Sequence, residues 1–249
     1  MAGAGTVAVL AEQLESSRRF GHVDLADLMD LQQTRPTVQL VDGATRAVTW
    51  PSIELIAGRA GRDVVLCVGP EPSLRWRQLI GELVDMARRL DVRRVFTVGG
   101  MPSVASHRRA VSVLATATSP ELVIEIGAWR ADYHGPTGLQ TALQVALGDA
   151  GIPTIALWAQ VPHYVAGSPS PPAITALLAR LRELGDVQVD VGDLTAQSEA
   201  YVRRVEEGLS ERPDVAEVVR AIEAETPEPQ IPSGDELASE IERFLRGQP

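Results

Sequence analysis

The chain contains no lysine and no asparagine, and only one of its 249 residues is cysteine. Without lysine it cannot form a Schiff base through that side chain, and it cannot supply the lysine of a phosphate-binding P-loop. A single cysteine excludes an intrachain disulfide and favours a reducing compartment, which we expect to be the cytoplasm. Cys67 lies in the apolar run 64–68, where we expect it to serve packing.

Positive charge is also scarce. The formal net charge is −10, and all 23 basic residues are arginine. An acidic chain with scattered arginines argues against nucleic-acid binding. No apolar run approaches the roughly 18 residues that a membrane span needs, so we expect no membrane partner either. The length fits one α/β domain with a small helical appendix.

Through the middle of the chain, apolar runs of strand length alternate with amphipathic stretches of helix length. Residues 64–68, 95–98 and 155–161 are apolar without polar alternation, which is typical of strands buried in a parallel sheet. The alternation predicts an α/β fold with a mainly parallel sheet and flanking helices.

The two ends of this core carry different patterns. Residues 7–20 predict a helix, and Asp42-Gly43 between two β-prone stretches predicts a hairpin. Residues 194–209 and 213–225 predict an antiparallel helix pair with acidic outer faces. We therefore divide the chain into a core (1–190), a helical pair (191–226) and an amphipathic helix (233–247) after a proline-rich linker.

Three turns follow three of the predicted parallel strands, and the carboxyl ends of such strands meet at one rim of a sheet. We expect a ligand crevice there. Its predicted lining residues are Gly69, Pro70, Glu71, Gly99, Gly100, Met101, His107, Tyr133, His134, Pro162, His163 and Tyr164.

Two interpretations of this rim remain open. In the first, Glu71 or Glu125 is a general base and His163 an acid or an orienting group, acting on a small molecule. In the second, glycine and proline only shape the turns, while His163 and Tyr164 bond the backbone and fill a subunit interface.

The sequence predicts no cofactor and no metal. The four histidines, at 22, 107, 134 and 163, lack the spacing of a metal site. The run 99–102 lacks the Gly-x-Gly-x-x-Gly pattern of a nucleotide loop. Arg108, Arg109 and Glu125 could hold a phosphate and a purine, but no motif fixes them in those roles.

Four motifs together resemble one family. They are Val-Gly-Pro-Glu-Pro-Ser-Leu-Arg-Trp (68–76), Gly-Gly-Met-Pro-Ser-Val-Ala-Ser-His-Arg-Arg (99–109), Val-Pro-His-Tyr-Val (161–165) and Pro-Ser-Gly-Asp-Glu-Leu-Ala (232–238). The chain resembles the proteasome assembly chaperone family, in its high-GC bacterial branch, from about residue 5 to 246. The resemblance implies one α/β domain similar to the purine nucleoside phosphorylase fold, trimer-based homo-oligomers and a protein partner such as proteasome subunits.

The sequence departs from the family pattern at both ends. Members of the family usually begin with a strand and a turn similar to Gly-Phe-Ile-Asp-Ala-Gly, of which Ala4-Gly5 matches the end. Either the start of the sequence is mis-assigned or cut, or the core lacks the family's first strand. The final residues 246–249 lack the hydrophobic-tyrosine ending of proteasome-docking tails, so docking of that kind is not expected.

Two functional hypotheses follow from the residues and the resemblance. The first is a homo-oligomeric binding or assembly protein without a catalytic set. The alternative is a protein that binds, or an enzyme that converts, a nucleoside-like or carboxylated small molecule at the rim.

Overall fold

The structure is a computed structural model that describes residues 2–128 and 133–225. Within these ranges the helices are α1 (Ala2–Gln13), α2 (Trp76–Arg89), α3 (Pro120–Glu125), α4 (Leu139–Asp149), α5 (Pro171–Gly185), α6 (Gly192–Ser210) and α7 (Pro213–Glu225). The strands are β1 (Glu15–Asp24), β2 (Thr37–Val41), β3 (Ala44–Thr49), β4 (Ser52–Arg59), β5 (Asp63–Val68), β6 (Val95–Ser103), β7 (Val113–Ala117) and β8 (Thr154–Pro162). Short 3-10 turns cover Ala26–Leu28 and His163–Val165.

The described strands form three small sheets, in the orders β1-β4-β5, β2-β3 and β6-β8-β7. Only β6 and β8 run parallel, and the other four pairings are antiparallel. The α/β class is therefore confirmed, whereas the prediction of a mainly parallel sheet is wrong for the described strands. Its physical reason is that an apolar run shows burial but does not show the direction of the neighbouring strand.

Strand β5 shows how this error arose. It pairs with β4 alone, so it is an edge strand, and Val65 is 37% exposed on it. Cys67 on this strand is also exposed, although the protein atoms around its thiol bury it enough to raise its pKa to about 11. The run 64–68 is apolar on both faces, yet its second edge has no strand partner in the sheet.

The centre of the core lies at β8 and α5. Ile155, Ala156 and Leu157 on β8 have no exposed surface, as the unbroken apolar run predicted. Leu177 and Leu178 on α5 are equally buried, and both belong to the same apolar cluster as Ile155. Burying a leucine fully stabilises the fold by about 1.5–3 kcal/mol relative to leaving it exposed.

The helix predicted over residues 7–20 is half a helix and half a strand. α1 ends at Gln13, and Ser16 takes a positive φ of 53° in the adjoining strand. β1 then pairs antiparallel with β4 from Glu15 to Asp24. Helical spacing in this stretch was overridden by pairing with a strand that lies about forty residues further on. α1 itself contacts both β5 and β6.

The hairpin predicted at Asp42-Gly43 is confirmed. Both turn residues have positive φ, 50° and 75°, as a type I′ turn requires. All residues of β2 and β3 are exposed. We call residues 37–49 the β-arm.

The helix pair predicted near the end of the described chain is α6 and α7. α6 packs against α5 and against α7, and it buries Leu194, Tyr201 and Leu209. The predicted linker 226–232 and the predicted helix 233–247 lie outside the described residues. Within the described ranges, no helix has the length and apolar character required to cross a membrane.

Candidate functional site

β6 and β8 end side by side, so the segments that leave them start from one place. Ser103 at the end of β6 pairs with Pro162 at the end of β8. The loop 104–112 and the 3-10 turn His163–Val165 leave from there and meet α6 and α7. We call the polar group formed at this junction the His–Arg cluster. Its members are Ser106, His107, Arg108, Arg109, Tyr164, Glu206 and Glu223.

The imidazole of His107 is fully buried, and both ring nitrogens have partners. Nδ1 lies 2.8 Å from the Tyr164 hydroxyl, and Nε2 lies 3.0 Å from Oε1 of Glu206. The backbone N–H of His107 donates to the same tyrosine oxygen at 3.0 Å. Because a carboxylate only accepts, the Nε2–H group donates to Glu206. The Tyr164 hydroxyl completes the contacts of the ring at Nδ1.

Arg108 links the loop to both helices. Its Nε and NH2 groups donate to the two oxygens of Glu206 at 2.6 and 2.9 Å, and NH1 donates to Glu223 at 2.9 Å. Ser106 donates to the other Glu223 oxygen at 2.6 Å. Arg109 donates to the Glu223 backbone carbonyl at 3.1 Å. A bidentate contact between an arginine and a carboxylate fixes the relative orientation of the two side chains as well as their distance.

The charges in the cluster stabilise one another. The pKa of Glu206 is lowered to about 2, mainly by the hydrogen bonds from Arg108 and further by the one from His107. The pKa of Glu223 is also lowered, first by the hydroxyl of Ser106 and then by the charge of Arg108. Glu206 raises the pKa of Arg108 in turn. Both carboxylates therefore remain ionised at neutral pH.

Two tyrosines are partly buried in this region, Tyr164 of the His–Arg cluster and Tyr201 of α6. Burial raises the pKa of both Tyr164 and Tyr201, so neither phenol ionises near neutral pH. The Tyr164 ring stands edge-on to the rings of His107 and His163, with centroids 5.9 and 5.5 Å apart. A neutral phenol that is bonded to a buried histidine is suited to holding geometry rather than to attacking a substrate.

Glu71 lies elsewhere and has a capping contact. Its carboxylate accepts a hydrogen bond of 2.6 Å from the backbone N–H of Leu139, in the first turn of α4. The residue at the N-cap position, Gly138, has no side chain that could do this. A carboxylate at a helix N-terminus also interacts favourably with the helix dipole. Glu71 therefore joins the turn after β5 to α4.

The glycines of the predicted second turn lie inside a strand. β6 continues to Ser103, so residues 99–102 pair with β8 and do not form an exposed anion loop. A Cβ on Gly99 would lie 2.6 Å from the ring of Trp158, and one on Gly100 would lie 3.2 Å from Ala2. These glycines permit close packing. Gly69 does the same, since a Cβ there would meet the backbone of Ser52 at 2.6 Å.

The remaining predicted residues are dispersed. Glu125 pairs with Arg94 at 3.2 Å. Arg94 directly precedes β6, a strand about 25 Å long by its rise per residue, so this pair lies at the end of β6 opposite to Ser103. His163 lies beside Ser103, with Nδ1 3.3 Å from that carbonyl. Tyr133 is 77% exposed and donates to the Pro136 carbonyl.

The predicted residues thus form two groups. Glu71 lies near Gly99. It is bonded to Leu139, and the side chain of the next residue, Gln140, donates to the carbonyl of Val98, which directly precedes Gly99. The other group, at the ends of β6 and β8, contains His107, His163 and Tyr164. Four residues of strand, about 13 Å, separate Gly99 from Ser103.

In the described part of the chain, no metal cluster coincides with these groups, and neither do the two open grooves described next. Among the described residues, no set of three or more histidine, cysteine, aspartate or glutamate side chains could hold a metal ion. An open groove of about 750 Å³ is lined by Gln13, Ala179, Arg182, Glu183 and residues 186–190. A second groove of about 450 Å³ is lined by residues 112–115, Gly127, Ala128 and Arg180. None of the predicted crevice residues lines either groove.

Sequence reasoning missed Glu206 and Glu223. Both were assigned to acidic outer faces of the helix pair, yet each points to the loop of Arg108. The available signal was the run Ser-His-Arg-Arg (106–109), whose arginines need carboxylates from elsewhere in the chain. Which of the many glutamates would supply them depends on how the helices dock.

Comparison with known proteins gives a consistent result. The family model described as PAC2 family matches residues 1–209. A comparison with curated proteins finds no significant match. Among solved structures, a PAC2 family protein from Streptomyces avermitilis is 38% identical, with a TM-score of 0.79 over 88% of this chain and 93% of that one.

A second solved structure is described as a proteasome-assembly chaperone homologue from Mycobacterium tuberculosis. It is 37% identical, with a TM-score of 0.79 over 88% of this chain and 94% of that one. An archaeal proteasome activator from Pyrococcus furiosus is 19% identical, with a TM-score of 0.63 over 82% of this chain and 90% of that one, and this likeness concerns the fold alone. The two bacterial relatives come from high-GC genera, as the resemblance implied.

Proposed function

Because the chain belongs to the PAC2 family, we propose that it is a homo-oligomeric binding and assembly protein whose partners are proteins, proteasome subunits among them. The description of the mycobacterial relative as a proteasome-assembly chaperone homologue supports this proposal. We place the protein in the cytoplasm, which its single cysteine favours.

One observation carries the proposal: the groups expected to do acid–base chemistry are engaged in structural contacts. Glu71 accepts from the backbone of α4, and Glu125 pairs with Arg94. His163, the predicted acid or orienting group, has Nδ1 3.3 Å from the Ser103 carbonyl, and His107 of the predicted crevice has both ring nitrogens bonded inside the protein. A general base must reach a proton of the substrate, and these contacts hold the groups against the fold instead.

The helical pair α6–α7 is the surface that we propose to meet the partner. Arg108 fixes both helices to the core, so the pair presents one rigid orientation. Their exposed charges are acidic on balance, with acidic residues at 193, 199, 207, 211, 214, 217 and 225 against arginines at 203, 204, 212 and 220. A rigid acidic surface favours a basic partner surface through charge complementarity. In this proposal residues 1–190 form the core and residues 191–226 form the partner-binding pair.

The small-molecule crevice at the strand ends stays a prediction. A metabolite panel tested by thermal shift addresses it, since a ligand at 100 times its dissociation constant stabilises the fold by about 2.7 kcal/mol. A panel that leaves the melting temperature unchanged would remove the crevice hypothesis.

Affinity purification of the full chain from native lysate tests the assembly role. The expected result is a protein partner recovered in stoichiometric amount with the wild type. Arg108→Met should recover less of it, because the helical pair loses its fixed orientation. Arg77→Met, which alters an exposed arginine of α2 outside the helical pair, is the matched control and should recover as much as the wild type. Recovery of no stoichiometric protein would contradict the proposal.

A further inference from the structure

The β-arm has no third strand and no helix packed on either face. All residues of β2 and β3 are exposed, and its four large aliphatic residues, Val38, Leu40, Val41 and Val48, are 58%, 61%, 40% and 49% exposed. An isolated two-stranded hairpin is at best marginally stable in water, and a third strand with a hydrophobic face is usually required. Within the described residues of a single chain, that third strand is lacking.

Three of the four large aliphatic side chains of the β-arm share one face, and Val41 lies on the other. Val38 lies directly opposite Val48, and Leu40 lies two residues further along β2, where side chains point to the same side. The charges of residues 37–49 are Asp42 and Arg46, which cancel, on a chain with net charge −10. Two copies of this acidic chain can therefore approach one another at the β-arm without like-charge repulsion.

The outer edge of β2 is open, and the register shift that the β2–β3 pairing has between Gln39 and Leu40 places its extra residue, Arg46, on β3. The type I′ turn closes on the pair Val41–Ala44, so alternate residues of β2 bond to β3 and the N–H and C=O groups of Val38 and Leu40 point outward. Natural edge strands are commonly protected by charged residues or proline. Residues 37–41, Thr-Val-Gln-Leu-Val, contain neither.

This edge is also complementary to itself. Gln39 is the central residue of β2, with Val38 on one side and Leu40 on the other. We propose that β2 pairs antiparallel with β2 of a second copy, about a two-fold axis at Gln39. Val38 then lies opposite the partner's Leu40, and Leu40 lies opposite the partner's Val38. Each outward N–H finds an outward C=O.

The pairing completes a sheet that neither copy has alone. It joins the two arms into four strands in the order β3-β2-β2-β3, with Val38, Leu40 and Val48 of both copies on one face. The contact uses the same surface on both copies, as two-fold symmetry requires. This inference rests on the proposed homo-oligomer and deepens it by naming one contact between its copies. Because a two-fold contact joins chains only in pairs, it would link one copy of the trimer that the resemblance implies to a copy of a second trimer.

Engineered cysteines test the register directly. In a Cys67→Ser background, Gln39→Cys places two thiols in a non-hydrogen-bonded pair, whose Cα atoms lie about 4.5 Å apart. That separation is within the range of disulfides, about 4.4–6.8 Å. Val38→Cys is the matched control, since the two copies of residue 38 are diagonal neighbours about 7–8 Å apart. Under mild oxidation, Gln39→Cys should yield a reducible species of twice the 26.7 kDa chain mass, and Val38→Cys should stay monomeric on a non-reducing gel.

A second variant removes the pairing without requiring a new bond. Leu40→Pro deletes an N–H that faces outward, and proline is tolerated at such edge positions. We expect this variant to sediment with a lower mass than the wild type and to have the same circular dichroism spectrum.

The possible failures are distinguishable. Suppose that the protein sediments as an oligomer but Gln39→Cys does not cross-link, or cross-links no better than Val38→Cys. The β2 contact is then wrong, and the homo-oligomer forms through another surface. If the wild type sediments as a monomer at all concentrations, the homo-oligomer and the contact both fall.

Discussion

Arg108 holds the carboxylate of Glu206 with two nitrogens at once, at 2.6 and 2.9 Å, and reaches Glu223 with the third. One side chain in a loop after β6 thus fixes the orientation of two helices that lie about a hundred residues later in the chain. The orientation of α6–α7 is therefore coupled to the ends of β6 and β8, where the predicted rim lies.

Removing this guanidinium should loosen the helical pair. For Arg108→Met we expect a loss of about 1–2 kcal/mol in the free energy of unfolding, because hydrogen bonds to charged groups contribute about 1.5–3 kcal/mol and partial exposure weakens them. Urea unfolding followed by circular dichroism measures it. Arg204→Met should change the free energy by less than about 0.5 kcal/mol. Equal losses in both variants would show that Arg108 is an ordinary surface residue.

The lowered pKa of Glu206 gives the protein an acid sensitivity of known sign. Its carboxylate has a pKa of about 2 in the folded state against an ordinary value of 4.5, so its stabilising contribution is complete above 4.5 and is lost as the pH falls toward 2. Glu206→Gln cannot lose a charge. Its melting temperature should be lower than that of the wild type at neutral pH, and the difference should shrink between pH 4.5 and pH 2. Glu207→Gln, at the exposed neighbouring position, should follow the wild type, and a difference for Glu206→Gln that does not vary with pH would refute the role of its ionisation.

The capping contact of Glu71 should be visible as stability. Glu71→Ala removes the acceptor of the Leu139 N–H, and loss of a helix cap costs about 0.5–2 kcal/mol. Glu71→Gln keeps an acceptor oxygen and should cost less. The two variants compared by urea unfolding separate capping from mere side-chain bulk, and identical losses would count against capping.

Two histidines of the same region should respond differently to truncation. His107→Ala creates a buried cavity and removes the ring that contacts the Tyr164 hydroxyl and Glu206. We expect this to lower the free energy of unfolding by about 1–3 kcal/mol. His163 is exposed, so His163→Ala should cost less than about 0.5 kcal/mol. Thermal unfolding of both variants checks this order, and the reverse order would overturn the account of the His–Arg cluster.

Features that depend on local sequence could be predicted, and features that depend on long-range pairing could not. The hairpin at Asp42-Gly43, the buried β8 and the helices α6 and α7 follow from turn chemistry and periodicity over short windows. The strand β1 and the antiparallel direction of β5 depend on β4, and no local pattern encodes that partner. The likeness to the purine nucleoside phosphorylase fold stays a prediction.

The same distinction applies to the site. His107 and Tyr164 were both predicted at the rim, and they are bonded to each other there. Glu125 was predicted at the rim and lies at the opposite end of β6, because α3 pairs it with Arg94. Glu206 could not be chosen among the glutamates of α6 without knowing which helix face docks on the loop.

The role that we propose for this chain is to bind protein subunits and promote their assembly. The most direct measurement mixes the purified full chain with purified proteasome subunits and follows complex formation and particle yield by analytical ultracentrifugation. We expect a stoichiometric complex, and a higher yield of assembled particles when the wild-type chain is present than when it is absent. Subunits that sediment and assemble identically in the presence and absence of the chain would contradict it.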